Sequence, residues 1–283
     1  MDLLGVVESM YRQQGPEPTE ALIRRIESNG VVIPTRIYNF FLYLYGKTCR
    51  IRDMERWYHR LRRASTGFPH QPISKIKDGT EGTRLSSENV TAGASSPVKA
   101  GSQQTPPTPN IYTFTLLIDG YNRAGHIDKV IAVWRDFEKS GLAINQVFIS
   151  VLLDALGYHH QSQLLVQFWN TLQQGNVAKL TENNFNSYLE ALCRMGNFEK
   201  ACQVFTEEMW PPPKTARKDA KSTLPRPAGK RFGKNPSHKT LVTLLTPLQI
   251  HQQTTILRQV LWHVRSYYPS SLETLRDIMG KSE

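Results

Sequence analysis

The sequence predicts an all-α protein, an α-solenoid of helix-turn-helix repeats about 35 residues long. Two segments carry this prediction: residues 123–134 read RAGHIDKVIAVW and residues 194–205 read RMGNFEKACQVF. Both have Arg-x-Gly, then an acid-Lys pair, then an apolar run that ends in an aromatic residue. The copies stand 71 residues apart, which is about two repeats, and a period of this size is typical of solenoids.

The central segment, residues 109–145, predicts one complete hairpin. Its first helix has apolar residues at the i, i+3, i+4, i+7 spacing of an amphipathic helix, namely Phe114, Leu117, Ile118 and Tyr121. Gly125 then predicts a left-handed end to that helix. Asp128 predicts the start of the next, where an acid favours the helix dipole. Two antiparallel helices with a short turn form an αα-hairpin.

The same pattern recurs along the chain. It predicts hairpins over residues 3–30, 35–61, 146–175, 182–209 and 239–264, and a lone helix at 271–280. Cys49 stands where other copies have the turn glycine, and Pro247 is expected to strain the first helix of the last hairpin. Aromatic residues recur on the second helices and are expected to fill the core between helices: Trp57, Trp134, Phe168, Trp169 and Phe205.

Two inserts are expected to be disordered. Residues 62–108 are rich in Ser, Thr, Gly and Pro, and residues 211–237 in Pro, Lys and Arg. The predicted organisation is therefore N-terminal repeats (1–61), an insert (62–108), core repeats (109–210), a basic segment (211–237) and a degenerate C-terminal repeat (238–283).

Charge is concentrated in the basic segment. The chain carries a formal net charge of +11, and residues 211–239 hold nine Lys or Arg against one acid. Such a segment attracts nucleic acid through phosphate neutralisation. A solvated loop that keeps the protein soluble would have the same composition.

The residues exclude several other classes. The three cysteines are spread without C-x-x-C, so neither a disulfide framework nor a zinc module is predicted. No nucleophile-base pair, phosphate-binding glycine loop or H-E-x-x-H is present, and Asp119, Asp154 and Glu190 lack partners at metal-ligand spacing. We therefore expect no catalysis, no cofactor and no metal, and the absence of any run of 18 apolar residues predicts no membrane span.

The segment PNIYTFTLLIDGYNRAGHIDKVIAVWRDFEKSGLAIN closely resembles a pentatricopeptide repeat. Tetratricopeptide repeats place a glycine after a leucine of the first helix, whereas here the glycines lie between the helices, at Gly125 and Gly196. The resemblance is strongest in the centre of the chain and weakest after residue 237.

The resemblance implies binding of single-stranded RNA in an organelle, which outside plants is usually the mitochondrion. One base is read per repeat by a few side chains: a residue in the first turn of the first helix and the last residue of the repeat. Thr115 with Asn145 then leans to adenine, and Asn39 with Asn110 leans to a pyrimidine. Ser150 with Thr181 forms a third pair, and Asn186 is left without a partner, which falls in Pro211–Pro213.

The family also places a basic residue near the end of the first helix, against phosphate. Lys47, Arg123 and Arg194 stand there, and the basic segment would add phosphate contacts through residues such as Lys230 and Arg231. Repeat 146–175 has Tyr158 at this position instead of a basic residue. Each cation could instead stabilise the C-terminal end of its helix dipole.

These observations predict a monomeric, non-enzymatic RNA-binding protein of the mitochondrial matrix. Its partner would be a mitochondrial mRNA, intron or rRNA, and its role processing, splicing, stability or translation. Two alternatives stay open: an interaction scaffold attached to the mitochondrial ribosome, and a subunit of an RNA-processing enzyme. The N-terminus has four acids, at Asp2, Glu8, Glu17 and Glu20, unlike a transit peptide. Import would then use no presequence, or the chain would begin inside a larger protein.

Overall fold

A computed structural model of the chain describes residues 2–66, 106–174, 180–212, 232 and 235–280. Most of the two predicted inserts lies outside these residues. Over the described ranges the chain forms thirteen α-helices and no strand, which confirms the predicted all-α solenoid. None of these helices is long and apolar enough to cross a membrane.

The helices pair as the sequence predicts. Six hairpins are followed by one lone helix, with these bounds: α1 Leu3–Gln14 and α2 Pro16–Ser28; α3 Thr35–Lys47 and α4 Ile51–Thr66; α5 Ile111–Arg123 and α6 Ile127–Ser140; α7 Gln146–Tyr158 and α8 Ser162–Gln174; α9 Glu182–Arg194 and α10 Phe198–Gln203; α11 His238–Ile250 and α12 Thr254–Tyr267; α13 Leu272–Met279. A π-helical turn, Val204–Met209, extends α10, and a 3₁₀ turn, Pro269–Ser271, precedes α13. Helix α4 continues past the predicted boundary at residue 61.

The chain divides into two compact units. The N-terminal unit contains residues 1–38 and 57–109, and the C-terminal unit contains residues 39–56 and 110–283. In the N-terminal unit the indole Nε1 of Trp57 donates to Oε1 of the buried Glu20 at 3.1 Å. The hydroxyl of Tyr38 donates to Oε1 of Glu27 at 3.1 Å, and burial raises the pKa of Tyr38. The polar ends of these core aromatic residues are therefore satisfied.

In the C-terminal unit the first helices of successive hairpins pack side by side. Helix α5 packs on α7, α7 on α9, and α9 on α11. We call these helices, with residues 39–47 of α3, the first-helix row. Aromatic residues fill the space behind it: the ring of Trp169 stacks on that of Tyr188 with centroids 4.1 Å apart. As predicted, Trp57, Phe168, Trp169 and Phe205 are buried. Trp134 is half-buried and meets the ring edge of Phe168.

Small residues let the first helices approach closely. A Cβ atom on Gly157 would lie 2.5 Å from the Cβ of Ala191 on the next first helix. A Cβ on Gly120 would lie 3.0 Å from the Cα of Gly46 and 2.6 Å from the sulfur of Met54. Real Cβ atoms essentially never lie within 3.0 Å of another atom, so Gly157 is what lets α7 approach Ala191 this closely. At Gly120 an added methyl group would fit only if Met54 moved.

The turns inside the five hairpins from α3–α4 onward have the same backbone conformation. Its left-handed residue is Gly125 (φ 78°) or Gly196 (φ 74°) in two hairpins. In three others it is a non-glycine residue: Cys49 (φ 55°), His160 (φ 54°) or Gln252 (φ 54°). Each is the fifteenth residue counted from the start of the first helix, so the five turns confirm a common repeat register.

These strained turns lead to a stability prediction. We expect His160→Gly and Gln252→Gly each to raise the free energy of unfolding by about 0.5–1 kcal/mol, because glycine adopts this conformation without the Cβ penalty. Both side chains are exposed, so little packing is lost. Chemical denaturation measures the change. Gly125→Gln is the matched reverse substitution and should destabilise; equal behaviour of all three variants would contradict the argument.

Pro247 does not break its helix. Helix α11 runs through it from His238 to Ile250, and the N–H of His251 donates to the Pro247 carbonyl at 2.9 Å. Proline removes one backbone hydrogen bond, but Leu244, Leu245 and Leu248 on the same helix are fully buried. Their packing offsets the loss.

Candidate nucleic-acid interface

Each first helix from α5 onward begins at a polar capping residue. The caps are Asn110, Asn145, Thr181 and Ser237, and each side-chain oxygen accepts from the backbone N–H three residues further on. This satisfies one of the donors that a helix N-terminus leaves unpaired. Three of the four caps are the predicted last residues of repeats. Asn110 and Asn145 are exposed, and Thr181 and Ser237 are half-buried.

The predicted first-turn residues lie deeper. They are the fifth residues of their helices: Asn39, Thr115, Ser150 and Asn186. Asn39, Thr115 and Asn186 are 4%, 7% and 3% exposed, and Ser150 is half-buried. They therefore lie deeper than the capping residues, and we call the position of each such pair, between neighbouring first helices, a recess.

Asn39 and Asn110 are in direct contact, although they stand 71 positions apart in the chain. The Nδ2 of Asn39 donates to Oδ1 of Asn110 at 3.4 Å. Thr113, the third residue of α5, lies between them: its hydroxyl is 2.8 Å from Oδ1 of Asn39 and 3.1 Å from Oδ1 of Asn110. The structure thus brings together a pair that the sequence separates by the first insert.

Ser150 and Thr181 are joined in the same way. The Nδ2 of Asn184, the third residue of α9, donates to Oγ of Ser150 at 2.9 Å. The Oδ1 of Asn184 accepts from the Thr181 hydroxyl at 2.9 Å. A single buried amide therefore links both predicted residues.

Asn186 does have a partner, which the sequence reasoning missed. The hydroxyl of Thr240, the third residue of α11, lies 2.9 Å from Oδ1 of Asn186 and 3.1 Å from Oγ of Ser237. Ser237 caps α11 and so occupies the place that was assigned to Pro211–Pro213. The basic segment hides this register when residues are counted by repeat length, but a serine directly before an apolar periodic segment is a recognisable cap.

The fourth pair, Thr115 and Asn145, lacks such a link. The third residue of α7 is Phe148, which is fully buried and cannot bridge them by a side-chain hydrogen bond. The hydroxyl of Thr115 donates instead to the carbonyl of Ile111 in its own helix at 2.8 Å.

The predicted phosphate-binding cations end the first helices, and two of them are paired with acids. Nε of Arg123 lies 2.9 Å from Asp119, and Arg194 reaches Asp154 at 2.8 Å and Glu190 at 2.7 Å. The hydrogen bond that Arg123 donates to Asp119 raises the pKa of Arg123 above its ordinary value. These acids were noticed in the sequence but given no partner, although the i, i+4 spacing of Asp119 and Arg123 indicates a helical ion pair.

The remaining predicted cations differ from these two. Nζ of Lys47 lies 5.7 Å from the ring centroid of Tyr43. Lys230 and Arg231 lie outside the described residues. Exposed ion pairs contribute little to stability, so the arginines can exchange a carboxylate for a phosphate at small cost.

Exposed apolar side chains also lie on the first-helix row. Tyr112 and Val147, the second residues of α5 and α7, are 54% and 62% exposed, and Tyr158 at the end of α7 is 60% exposed. Apolar and aromatic surfaces of this kind can contact the faces of bases. Sequence reasoning missed them; the signal was an apolar residue off the buried face of each helix.

Two of the cysteines, Cys193 and Cys202, are buried in the C-terminal unit. Burial raises the pKa of Cys193 to about 12 and that of Cys202 to about 11, which keeps both thiols protonated. No group of three His, Cys, Asp or Glu among the described residues could hold a metal ion.

The fold and these recesses define a class, the α-solenoid of two-helix repeats with a polar pair at each junction. The family model for the PPR repeat matches residues 112–142 and 184–207. The crystal structure of the pentatricopeptide repeat protein PPR10 from maize is similar, with a TM-score of 0.54 and 16% identity. No curated protein matches the sequence.

The two matched segments are pentatricopeptide repeats, and they lie in the hairpins where the sequence predicts them. The match to the maize structure covers 97% of this chain and 33% of that one, so this chain spans about a third of the maize protein's length. Its repeats are of a helical type whose family generally binds single-stranded RNA without catalysis.

Proposed function

We propose that this chain binds a short single-stranded RNA along the first-helix row, with one base at each junction between repeats. The observation that carries the proposal is the recurrence of a buried fifth residue beside a capping residue, at the same place in successive repeats. The pairs are Asn39 with Asn110, Thr115 with Asn145, Ser150 with Thr181, and Asn186 with Ser237.

The hydrogen-bonding groups of the Thr115–Asn145 pair suit adenine. The proton of Thr115 is used within its own helix, so this hydroxyl offers an acceptor. Oδ1 of Asn145 accepts from the N–H of Phe148 at 2.8 Å, so its Nδ2 offers a donor. An acceptor beside a donor complements the N6 amino group and the N1 of adenine.

Phosphates would be held by Lys47, Arg123 and Arg194 at the ends of the first helices. The basic segment, with Lys230 and Arg231, would add affinity that is independent of sequence. We place the protein in the mitochondrial matrix as a monomer without catalytic activity of its own, on the resemblance to its family. There it would assist the processing, splicing, stability or translation of an RNA.

A protein-interaction scaffold, for example on the mitochondrial ribosome, is the second candidate. Two observations favour it: three of the fifth residues are at most 7% exposed, and Trp262 and Ile250 near the C-terminus are 61% and 71% exposed. Such side chains mark a protein contact where they form a contiguous apolar patch.

Base reading is tested by the double variant Thr115→Asn, Asn145→Asp. We expect it to change the preferred base at one position of RNA selected from a random pool, while total affinity stays within about threefold. Sequencing of RNA retained by the full chain measures this preference. Thr171→Asn, on an exposed face of α8, is the control and should leave the profile as it is. An unchanged profile in the double variant would refute base reading by this pair.

A further inference from the structure

We infer that a polar third residue of a following first helix orients the base-reading side chains of the repeat before it. These residues are Thr113, Asn184 and Thr240, and the inference rests on the proposed RNA binding. All three are 0% exposed, so none can touch RNA. Each is hydrogen-bonded both to a fifth residue and to a capping residue. They are therefore positioning residues.

Thr113 fixes which end of the Asn39 amide faces the RNA. The backbone N–H of Asn110 donates to the Thr113 hydroxyl at 3.1 Å, and that hydroxyl lies 2.8 Å from Oδ1 of Asn39. The hydroxyl therefore supplies the donor and Asn39 the acceptor. The Nδ2 of Asn39 has two hydrogens, of which one is donated to Oδ1 of Asn110 and the other remains for a base. A recess that offers donors from Asn39 and Asn110 complements the acceptors O2 and O4 of uracil, or O2 and N3 of cytosine.

Asn184 acts on Ser150 in the opposite sense, because it donates a hydrogen bond with its own amide. Both polar atoms of its side chain are used. Its Nδ2 donates to the carbonyl of Gln146 at 2.8 Å and to Oγ of Ser150 at 2.9 Å. Its Oδ1 accepts from the backbone N–H and the hydroxyl of Thr181, at 3.1 Å and 2.9 Å. The amide cannot be reversed without losing its bonds to the Gln146 carbonyl and the Thr181 backbone N–H, which can only accept and only donate. Ser150 thereby receives a hydrogen bond and keeps its own proton for a base.

Thr240 is hydrogen-bonded to Asn186, but its hydroxyl also contacts the carboxylate of Glu182. That hydroxyl lies 2.7 Å from Oε1 of Glu182 and 2.9 Å from Oδ1 of Asn186. One proton cannot satisfy both oxygens. The oxygen nearer to the Thr240 hydroxyl is that of the charged Glu182, whereas the oxygen nearer to the Thr113 hydroxyl is that of Asn39. The orientation of Asn186 is therefore less firmly set than that of Asn39, and we expect weaker base discrimination there.

The Phe148 junction provides a comparison within the molecule. With a phenyl ring at the third position, Thr115 turns its hydroxyl to its own helix. A recess is thus defined by three residues rather than two: the fifth residue of one repeat, the cap that follows it, and the buried third residue of the next first helix.

The test is Thr113→Val in the full chain, which removes the hydroxyl and keeps the shape of the side chain. We expect base discrimination at the Asn39–Asn110 position to fall roughly fivefold to tenfold, the effect of one neutral hydrogen bond. The position read by Thr115 and Asn145 should be unchanged. Thr113→Ser restores the hydroxyl and should restore discrimination. Thr206→Val is the control, because the Thr206 hydroxyl bonds only within the second helix of its hairpin.

Selection from a random RNA pool reports the discrimination. The side-chain amide resonances of Asn39 report its orientation, and a purely structural role of Thr113 would leave them in place. Discrimination retained in Thr113→Val, with the amide signals unmoved, overturns this inference alone. A wild-type chain with no base preference at any position overturns the proposed function, and this inference with it.

Discussion

Gly157→Ala should lower the free energy of unfolding of the C-terminal unit by about 2–3 kcal/mol, because an added methyl group overpacks the contact between α7 and α9. The new Cβ would lie 2.5 Å from the Cβ and 2.7 Å from the Cα of Ala191. Backbone cannot yield as the end of a flexible side chain can, so the two helices must separate. Urea denaturation followed by circular dichroism measures the loss.

Two variants check that explanation. Ala191→Gly should partly rescue Gly157→Ala, because it removes the Cβ that the new methyl group meets at 2.5 Å but keeps the Cα at 2.7 Å. The double-mutant cycle should show a favourable coupling. Gly5→Ala is the matched helical control: nothing lies within 4 Å of its added Cβ, so the higher helix propensity of alanine should stabilise. If Gly157→Ala behaves like Gly5→Ala, close packing at this junction is not the reason for the glycine.

Changing Lys47, Arg123 and Arg194 together to glutamine should weaken RNA binding roughly a hundredfold at 50 mM salt. It should also make the negative slope of log affinity against log salt shallower by about 2, since each phosphate contact on a single strand contributes about 0.7. The reason is lost counterion release. The substitution also frees Asp119, Asp154 and Glu190 from their arginines, which adds repulsion. Fluorescence anisotropy with a labelled single-stranded RNA gives both quantities.

A second triple variant separates phosphate contact from general charge. Arg135→Gln, Lys139→Gln and Arg258→Gln remove three exposed cations from second helices, and should change the slope far less. Equal slopes for the two triple variants would show that the cations of the first helices act only on overall charge or as helix ends.

The fold was predictable because each hairpin repeats a local pattern. Apolar spacing located the helices, and Gly125 and Gly196 located the turns. The turn at Cys49 was found by alignment to those copies, and the left-handed residues His160 and Gln252 were not identified, since none of the three residue types favours a left-handed backbone. The length of α4 was not predictable, because its last turn, with the Ser65 and Thr66 hydroxyls bonded to the carbonyl of Arg62, is polar and continues into a low-complexity sequence.

The candidate interface was predictable only in part. Repeat counting located Thr115 and Asn145, and it paired Asn39 with Asn110 across the insert. It missed Ser237, because the basic segment breaks the count. It also missed the buried residues Thr113, Asn184 and Thr240, because their hydrogen bonds cross from one repeat to the next and have no signature within a single repeat.

The position of those hydrogen bonds has a consequence for protein engineering. If whole hairpins were exchanged as cassettes, the exchange would separate the fifth residue of each recess from the third-position residue that is hydrogen-bonded to it. One transplanted hairpin would then alter two adjacent recesses, its own and that of its upstream neighbour. A cassette that runs from the fourth residue of one first helix to the third residue of the next, such as residues 149–184, would keep one recess whole.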